Sequence, residues 1–217
     1  ADDLDARVLH FNTARGLTMA GPAAHLSGRR AVMHLRGVPA IGRAYWAASQ
    51  ALGDAFVLVA HALLPSFAPS VRPRCRVVYN GVEPKAVIPR EHARAALVSE
   101  LSTRGIAIDP HRPLFVSVSS IVPFKGLHHL VTAAEHARRR GLDATYLCAG
   151  HAPGDRYEAW LGERVIALGL EDRVHFLGFW EDVHGLVSAA DATVLPSVQE
   201  ETLVIDGAPV GVLGTEG

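Results

Sequence analysis

The chain has only two cysteines in 217 residues, Cys75 and Cys148, far apart and in no metal-binding spacing. That excludes a disulfide framework and a zinc finger, and both read as reduced, buried thiols in a cytosolic setting. An excess of one charge is lacking too: Lys and Arg number 21, Asp and Glu 22, for a formal net charge of -1. This balance gives no footprint for nucleic acid as the main partner. No apolar run is long enough to span a bilayer. The opening residues Ala1-Asp2-Asp3-Leu4-Asp5 are acidic, unlike a signal peptide. The 12 histidines, including the pair His128-His129, form no HExxH or Cys/His pattern, so no metal is expected. Internal repeats and low-complexity stretches are absent. So is a glycine-rich dinucleotide fingerprint with a downstream acid, which argues against a dehydrogenase.

What is present is a core-forming composition, 49% hydrophobic and 20% charged. Short β-branched runs alternate with Ala/Leu-rich stretches, the pattern of βα units around a parallel sheet. Strands are expected over 7–11, 31–35, 55–60, 76–79, 114–119, 144–149, 174–177 and 192–195. Helices are expected over 41–52, 91–103, 126–140, 157–168 and 183–189. Prolines and charges between Val82 and Pro113 suit an interdomain connector. The expected organisation is therefore a partial first domain over 1–82, a connector over 83–112 and a second α/β domain over 113–217.

The second block holds the chemistry. Ligands of parallel α/β sheets bind outside the carboxyl ends of the strands. The first strand of the block ends in Ser119-Ser120, followed by Pro123-Phe124-Lys125-Gly126 and a helix with apolar Leu127, Leu130, Val131 and Ala134. A helix start after a strand favours phosphate through free N–H groups and the helix dipole, and Lys125 adds a point charge. Alone, this Lys reads equally well as a solvated turn residue. The next strands end in Gly150 and in Leu177-Gly178, where glycine lets a ligand approach the backbone. A final strand leads through Pro196-Ser197 to Glu200, a carboxylate able to accept two hydroxyls of a ribose or sugar. An isolated Glu there is more often a solvated loop acid. Together the four strand ends suit a nucleotide: phosphates at Lys125, base at the glycine loops, ribose at Glu200.

In order and spacing, several segments resemble the family-4 retaining glycosyltransferases (glycosyltransferase group 1), which have the GT-B fold. They are Val77-Val78-Tyr79-Asn80-Gly81-Val82, Pro123-Phe124-Lys125-Gly126, Cys148-Ala149-Gly150, Val174-His175-Phe176-Leu177-Gly178 and Ala190-Asp191 through Leu195-Pro196-Ser197-Val198-Gln199-Glu200. The resemblance implies two Rossmann-like domains, with the donor held mainly by the second. It also implies metal-independent transfer of a hexose from a nucleotide-sugar such as a UDP- or GDP-sugar to an acceptor hydroxyl, with retention and no further cofactor. The acceptor would be a glycan, a lipid-linked molecule or a small molecule. The enzyme would act in glycan biosynthesis in the cytoplasm, with peripheral contact at the inner face of the membrane through N-terminal elements. Carried over by position, Lys125 would bind the donor diphosphate and Glu200 would match the first Glu of the family's paired-Glu motif. Ser119, Ser120, Gly126, Gly150, Leu177 and Gly178 would line the donor site. His34 and Arg36, at the end of a strand of the first block, would line the reaction site, although a half-buried strand histidine is the better reading of His34.

The departures from the family pattern are specific. Ser119-Ser120-Ile121 stands where the family has Gly-Arg-Leu, so one diphosphate cation is missing from its usual place. After Glu201 the chain runs quickly into Gly207-Ala208-Pro209-Val210, and the helix bearing the second Glu looks deleted; by count that Glu falls on Ala208. Asp206 is the only acid nearby. The family's first strand with its glycine-rich loop, and its final helix, find no match. A two-domain enzyme of this kind needs roughly 300 residues or more. The chain therefore reads as an internal piece of one. The alternative is a nucleotide- or sugar-binding module without catalysis. A carboxylate-pair glycoside hydrolase ranks last, because no two acids are placed opposite one another.

Overall fold

The computed structural model describes residues 5–37, 41–152, 155–198 and 203–210. They form two compact units, one ending at Glu83 and the other beginning at Pro84.

The first unit is a parallel four-stranded sheet in the order β1-β2-β3-β4: β1 Val8–Phe11, β2 Arg30–Leu35, β3 Ala55–Leu58 and β4 Cys75–Val77. Helix α1, Ala14–Leu26, joins β1 to β2, and α2, Arg43–Leu52, joins β2 to β3. Two 3-10 turns, His61–Ser66 and Arg72–Arg74, lead to β4. Strands wound in this simple order by right-handed crossovers place their helices on one face. Accordingly Ala31, Met33, Leu35, Phe56, Leu58 and Cys75 are buried beneath Leu17, Ala24 and Phe67. On the other face Val8 stays 52% exposed, and His10 stacks on His34 at 5.7 Å.

Helix α1 is not among the helices expected from sequence, and it contains Gly16, Gly21 and Pro22, residue types of low helix propensity. The Thr13 side chain accepts the Gly16 N–H at 3.0 Å and starts the helix. Gly21 earns its place by packing: a Cβ there would lie 3.1 Å from Leu17 and 3.5 Å from Leu52 of α2.

The second unit is wound in both directions. Its parallel sheet has the order β7-β6-β5-β8, with β5 Leu114–Val118, β6 Thr145–Ala149, β7 Val174–Gly178 and β8 Ala192–Thr193. Helices α4 (Leu127–Arg139) and α5 (Asp155–Ala167) cover one face. Leu127, Leu130, Val131 and Ala134 of α4 pack there with Tyr146, Cys148 and Leu161. Helices α3 (Arg90–Thr103) and α6 (Val183–Ala189) cover the other, where Leu97, Leu101, Leu186 and Ala189 meet Leu114, Val116 and Leu147. Every residue of β6 is buried, as expected for a strand covered on both faces. Helix α3 lies in the segment read from sequence as a connector, and it packs within this unit.

Residues 203–210 form an antiparallel hairpin, β9 Leu203–Ile205 with β10 Ala208–Val210. Asp206 and Gly207 turn it with φ of 50° and 73°, the two positive values of a type I′ turn. Ala208 is thus a strand residue. Ile205 is buried in the α4/α5 core.

One device recurs in both units. Asp54, before β3, accepts the Ala31 N–H at 2.8 Å and pairs with Arg30 at 3.0 Å. Asp191, before β8, accepts the Leu114 N–H at 2.8 Å and pairs with Arg94 at 2.7 Å and Arg90 at 2.8 Å. In each case the backbone N–H, aided by the arginines, holds the carboxyl below its usual range.

Candidate functional site

In the second unit the chain leaves β5 toward β6 on one side, while β8 lies on the other side of β5. Such a reversal of winding opens a crevice at the carboxyl ends of the two strands, the usual ligand position in open α/β sheets. Lys125 sits there.

The loops at this edge are fixed by backbone hydrogen bonds. Ser119 N–H donates to the Ala149 carbonyl at 3.0 Å, Ile121 N–H to His151 at 2.9 Å, and Gly150 N–H to Gly178 at 2.8 Å. Beyond β8, Val198 N–H donates to the Phe124 carbonyl at 2.9 Å. This ties the strand end that leads toward Glu200 to the Lys125 turn. Two glycines make these approaches feasible. A Cβ on Gly150 would lie 1.8 Å from the Ser119 carbonyl oxygen, and one on Gly126 2.0 Å from that of Pro196. Gly126 also has φ of 69°, in the left-handed region.

Lys125 closes the 3-10 turn Pro123–Lys125 and is half-buried. Its ammonium lies 5.4 Å from the Phe124 ring centre, and among the described residues it forms no ion pair. Ser119 Oγ is buried without a hydrogen-bond partner, whereas Ser120 is exposed. A half-buried cation with no ion pair among the described residues, on the same loop as an unfilled hydroxyl, suits an anion with oxygen acceptors.

The start of α4 offers fewer open amides than its sequence suggests. Gly126 N–H is spent on Pro123 at 2.9 Å. His128 N–H donates to the Tyr157 hydroxyl at 3.3 Å, and His129 and Leu130 donate to the Gly126 carbonyl at 2.9 and 3.3 Å. Of the first four helical N–H groups, only that of Leu127 has no partner among the described residues. The positive charge at this edge therefore rests on Lys125 and the helix dipole more than on a ring of amides.

Leu177 is buried in the α3/α6 core, so only its backbone faces the site. Gly178 has φ of 66° and open space where a Cβ would stand. Phe179, 77% exposed directly after it, was not singled out from sequence, because periodicity does not reveal exposure past a strand end. Glu200 lies outside the described residues. His34 and Arg36 belong to the first unit: His34 is half-buried on β2 with Nε2 lacking a partner, and Arg36 is exposed just past it. Asp206 occupies the exposed hairpin turn, 3.7 Å from Arg156. Among the described residues no group of three or more His, Cys, Asp or Glu could hold a metal ion, and no helix is long and apolar enough to cross a membrane.

Residues 99–205 match the model of the family described as glycosyl transferases group 1. The matched residues all lie in the second unit. The chain is 31% identical over 158 residues to alpha-maltose-1-phosphate synthase of Mycobacterium tuberculosis, an alignment covering 68% of this chain and 36% of that protein. Its fold is similar to Anabaena Alr3699/HepE, crystallised with UDP, at a TM-score of 0.70 and 21% identity, covering 91% of this chain and 55% of the other. A glycosyltransferase from Rickettsia africae is similar at 0.70 and 15% identity, covering 92% and 54%. The two parallel-sheet α/β units are thus those of GT-B glycosyltransferases. The chain spans little more than a third of the curated relative and about half of these solved chains.

Proposed function

We propose that the second unit binds a nucleotide-sugar at the carboxyl edge of its sheet, and that the protein transfers the hexose to an acceptor hydroxyl with retention and without a metal. The observation that carries this reading is the half-buried Lys125, without an ion pair among the described residues, at the point where the sheet reverses its winding. The relative crystallised with UDP, and also with UDP-glucose, supports a uridine nucleotide as the first donor to test.

Charge gathers on the diphosphate as the glycosidic bond breaks. Lys125, with the dipole of α4, stabilises that leaving group, and the Ser119 hydroxyl donates one hydrogen bond to it. Gly178 leaves room for the base, whereas Gly150 is needed for the close approach of the Ser119 backbone. Glu200 holds the ribose or sugar hydroxyls and orients the anomeric carbon. The acceptor attacks from the face the diphosphate leaves, which gives retention without a protein nucleophile. The two buried free thiols, Cys75 and Cys148, suit a cytoplasmic setting.

One observation favours a second reading, a binding module without catalysis. Ala208, where the count places the family's second Glu, is a strand residue of the hairpin. Calorimetry with UDP, GDP and ADP, first without metal and then with Mg²⁺, tests donor binding. Metal-independent binding of one nucleotide is expected, and binding of none would overturn the proposal. Transfer assays then separate the enzyme from the module.

A further inference from the structure

Helix α4 begins two residues after Lys125, and its second amide goes to another helix. His128 N–H donates to the Tyr157 hydroxyl of α5 at 3.3 Å. His128 Nδ1 shares a hydrogen bond of 2.8 Å with the same oxygen. One hydroxyl thus holds both the backbone and the side chain of a residue in the first turn of α4.

The contact is sealed from water: Tyr157 is 4% and His128 6% exposed. The Tyr157 ring stacks on Trp160 at 6.0 Å and meets the His128 ring edge-on at 6.1 Å. An amide at the start of a helix has no acceptor within its own helix, and when buried it needs one from elsewhere. Here the acceptor comes from 29 residues further along the chain.

The first turn of α4 is in turn coupled to Lys125. Gly126 stands between them, with its N–H on the Pro123 carbonyl at 2.9 Å and its own carbonyl accepting from His129 and Leu130 at 2.9 and 3.3 Å. Lys125 N–H donates to Val122 at 3.0 Å. A Cβ on Gly126 would lie 2.0 Å from the Pro196 carbonyl oxygen and 3.5 Å from the His129 ring. So close a fit leaves the Lys125 turn and the first turn of α4 no room to move separately.

We infer that Tyr157 is a positioning residue for the donor diphosphate: its hydroxyl fixes the first turn of α4 and, through it, the Lys125 ammonium. This rests on the reading of Lys125 as the diphosphate cation. Without the hydroxyl, the buried His128 amide loses this acceptor. The turn is then correctly placed for only part of the time, and the apparent donor affinity falls by that fraction.

Tyr157→Phe removes the hydroxyl and keeps the ring. Calorimetric titration of the whole chain with UDP, without metal, is expected to show affinity reduced about tenfold. In a Lys125→Ala background the same substitution should cause no further loss, because Tyr157 acts through Lys125. Leu161→Val, one turn further along α5 in the same core, loosens packing without touching the α4 amide and should leave UDP affinity unchanged. Hydrogen exchange of the free protein reads the positioning itself: Tyr157→Phe should speed exchange at His128 and His129 and leave the β6 amides protected. Unchanged UDP affinity, a full further loss in the Lys125→Ala background, an equal loss from Leu161→Val, or unchanged exchange at His128 would each overturn the proposal. If Lys125→Ala weakens UDP binding and Tyr157→Phe does not, this inference falls alone. If UDP fails to bind, or binds regardless of Lys125→Ala, the donor reading falls and takes this inference with it.

Discussion

The two units share a plan and differ in how it is completed. The first sheet is wound one way and, among the described residues, is covered by helices on one face. The second is wound both ways and covered on both. Winding in both directions does two things at once. It buries both faces of the central strands, and it opens the crevice between the ends of β5 and β8. Stability and a ligand site thus come from one topological choice in the second unit. In the first unit, the feature left open is a strand face.

The largest effect that sharpens this contrast is expected from Gly150→Ala. Its methyl group would strike the Ser119 carbonyl oxygen at 1.8 Å, in loops held by backbone hydrogen bonds. A loss of about 3 kcal/mol or more, confined to the second unit, is expected. Chemical denaturation monitored separately in the two units measures it, and equal destabilisation of both would break the distinction.

The buried cysteines report one on each unit. Burial raises the Cys75 thiol and pushes that of Cys148 up to about 12. Neither should react with iodoacetamide in the native protein at pH 8. On addition of urea, Cys75 should become reactive before Cys148, because its sheet is covered on one face only. Mass spectrometry of the labelled peptides gives the order, and the reverse order would contradict the comparison.

A smaller effect is expected where the units are alike. The carboxyls of Asp54 and Asp191 lie below their ordinary value in the folded state. Their contribution is therefore present above the unfolded value, about 3.9, and is lost as pH falls through the lower folded value. Asp191→Asn and Asp54→Asn should each cost about 1 kcal/mol at neutral pH, since both carboxylates are partly solvated. Each should also flatten the acid-side decline of its own unit. Thermal melts between pH 3 and 7 test this.

The second unit was the more legible in sequence for a physical reason. Strands buried on both faces are short, mainly apolar runs, and β5 and β6 stand out as such. The apolar spacing of Leu127, Leu130, Val131 and Ala134 marks α4 equally well. Helix α1 escaped because small-residue packing needs the very glycines that look like breakers, and because Pro22 stands within it. Gly126 and Gly150 stand out in sequence at strand ends and turns, and close backbone contacts require both. What the sequence could not show is how the amides at the start of α4 are used. The Tyr157 hydroxyl and the Gly126 carbonyl take most of them, and contacts from so far along the chain leave no local pattern.

The most direct measurement for the donor site is NMR titration of the ¹⁵N-labelled chain with UDP in the absence of metal. Saturable shifts are expected at Ser119, Ser120, Lys125, Gly150 and Gly178, with affinity reduced about tenfold by Lys125→Ala. Shifts confined to the first unit, or an affinity that Lys125→Ala leaves unchanged, would contradict the account.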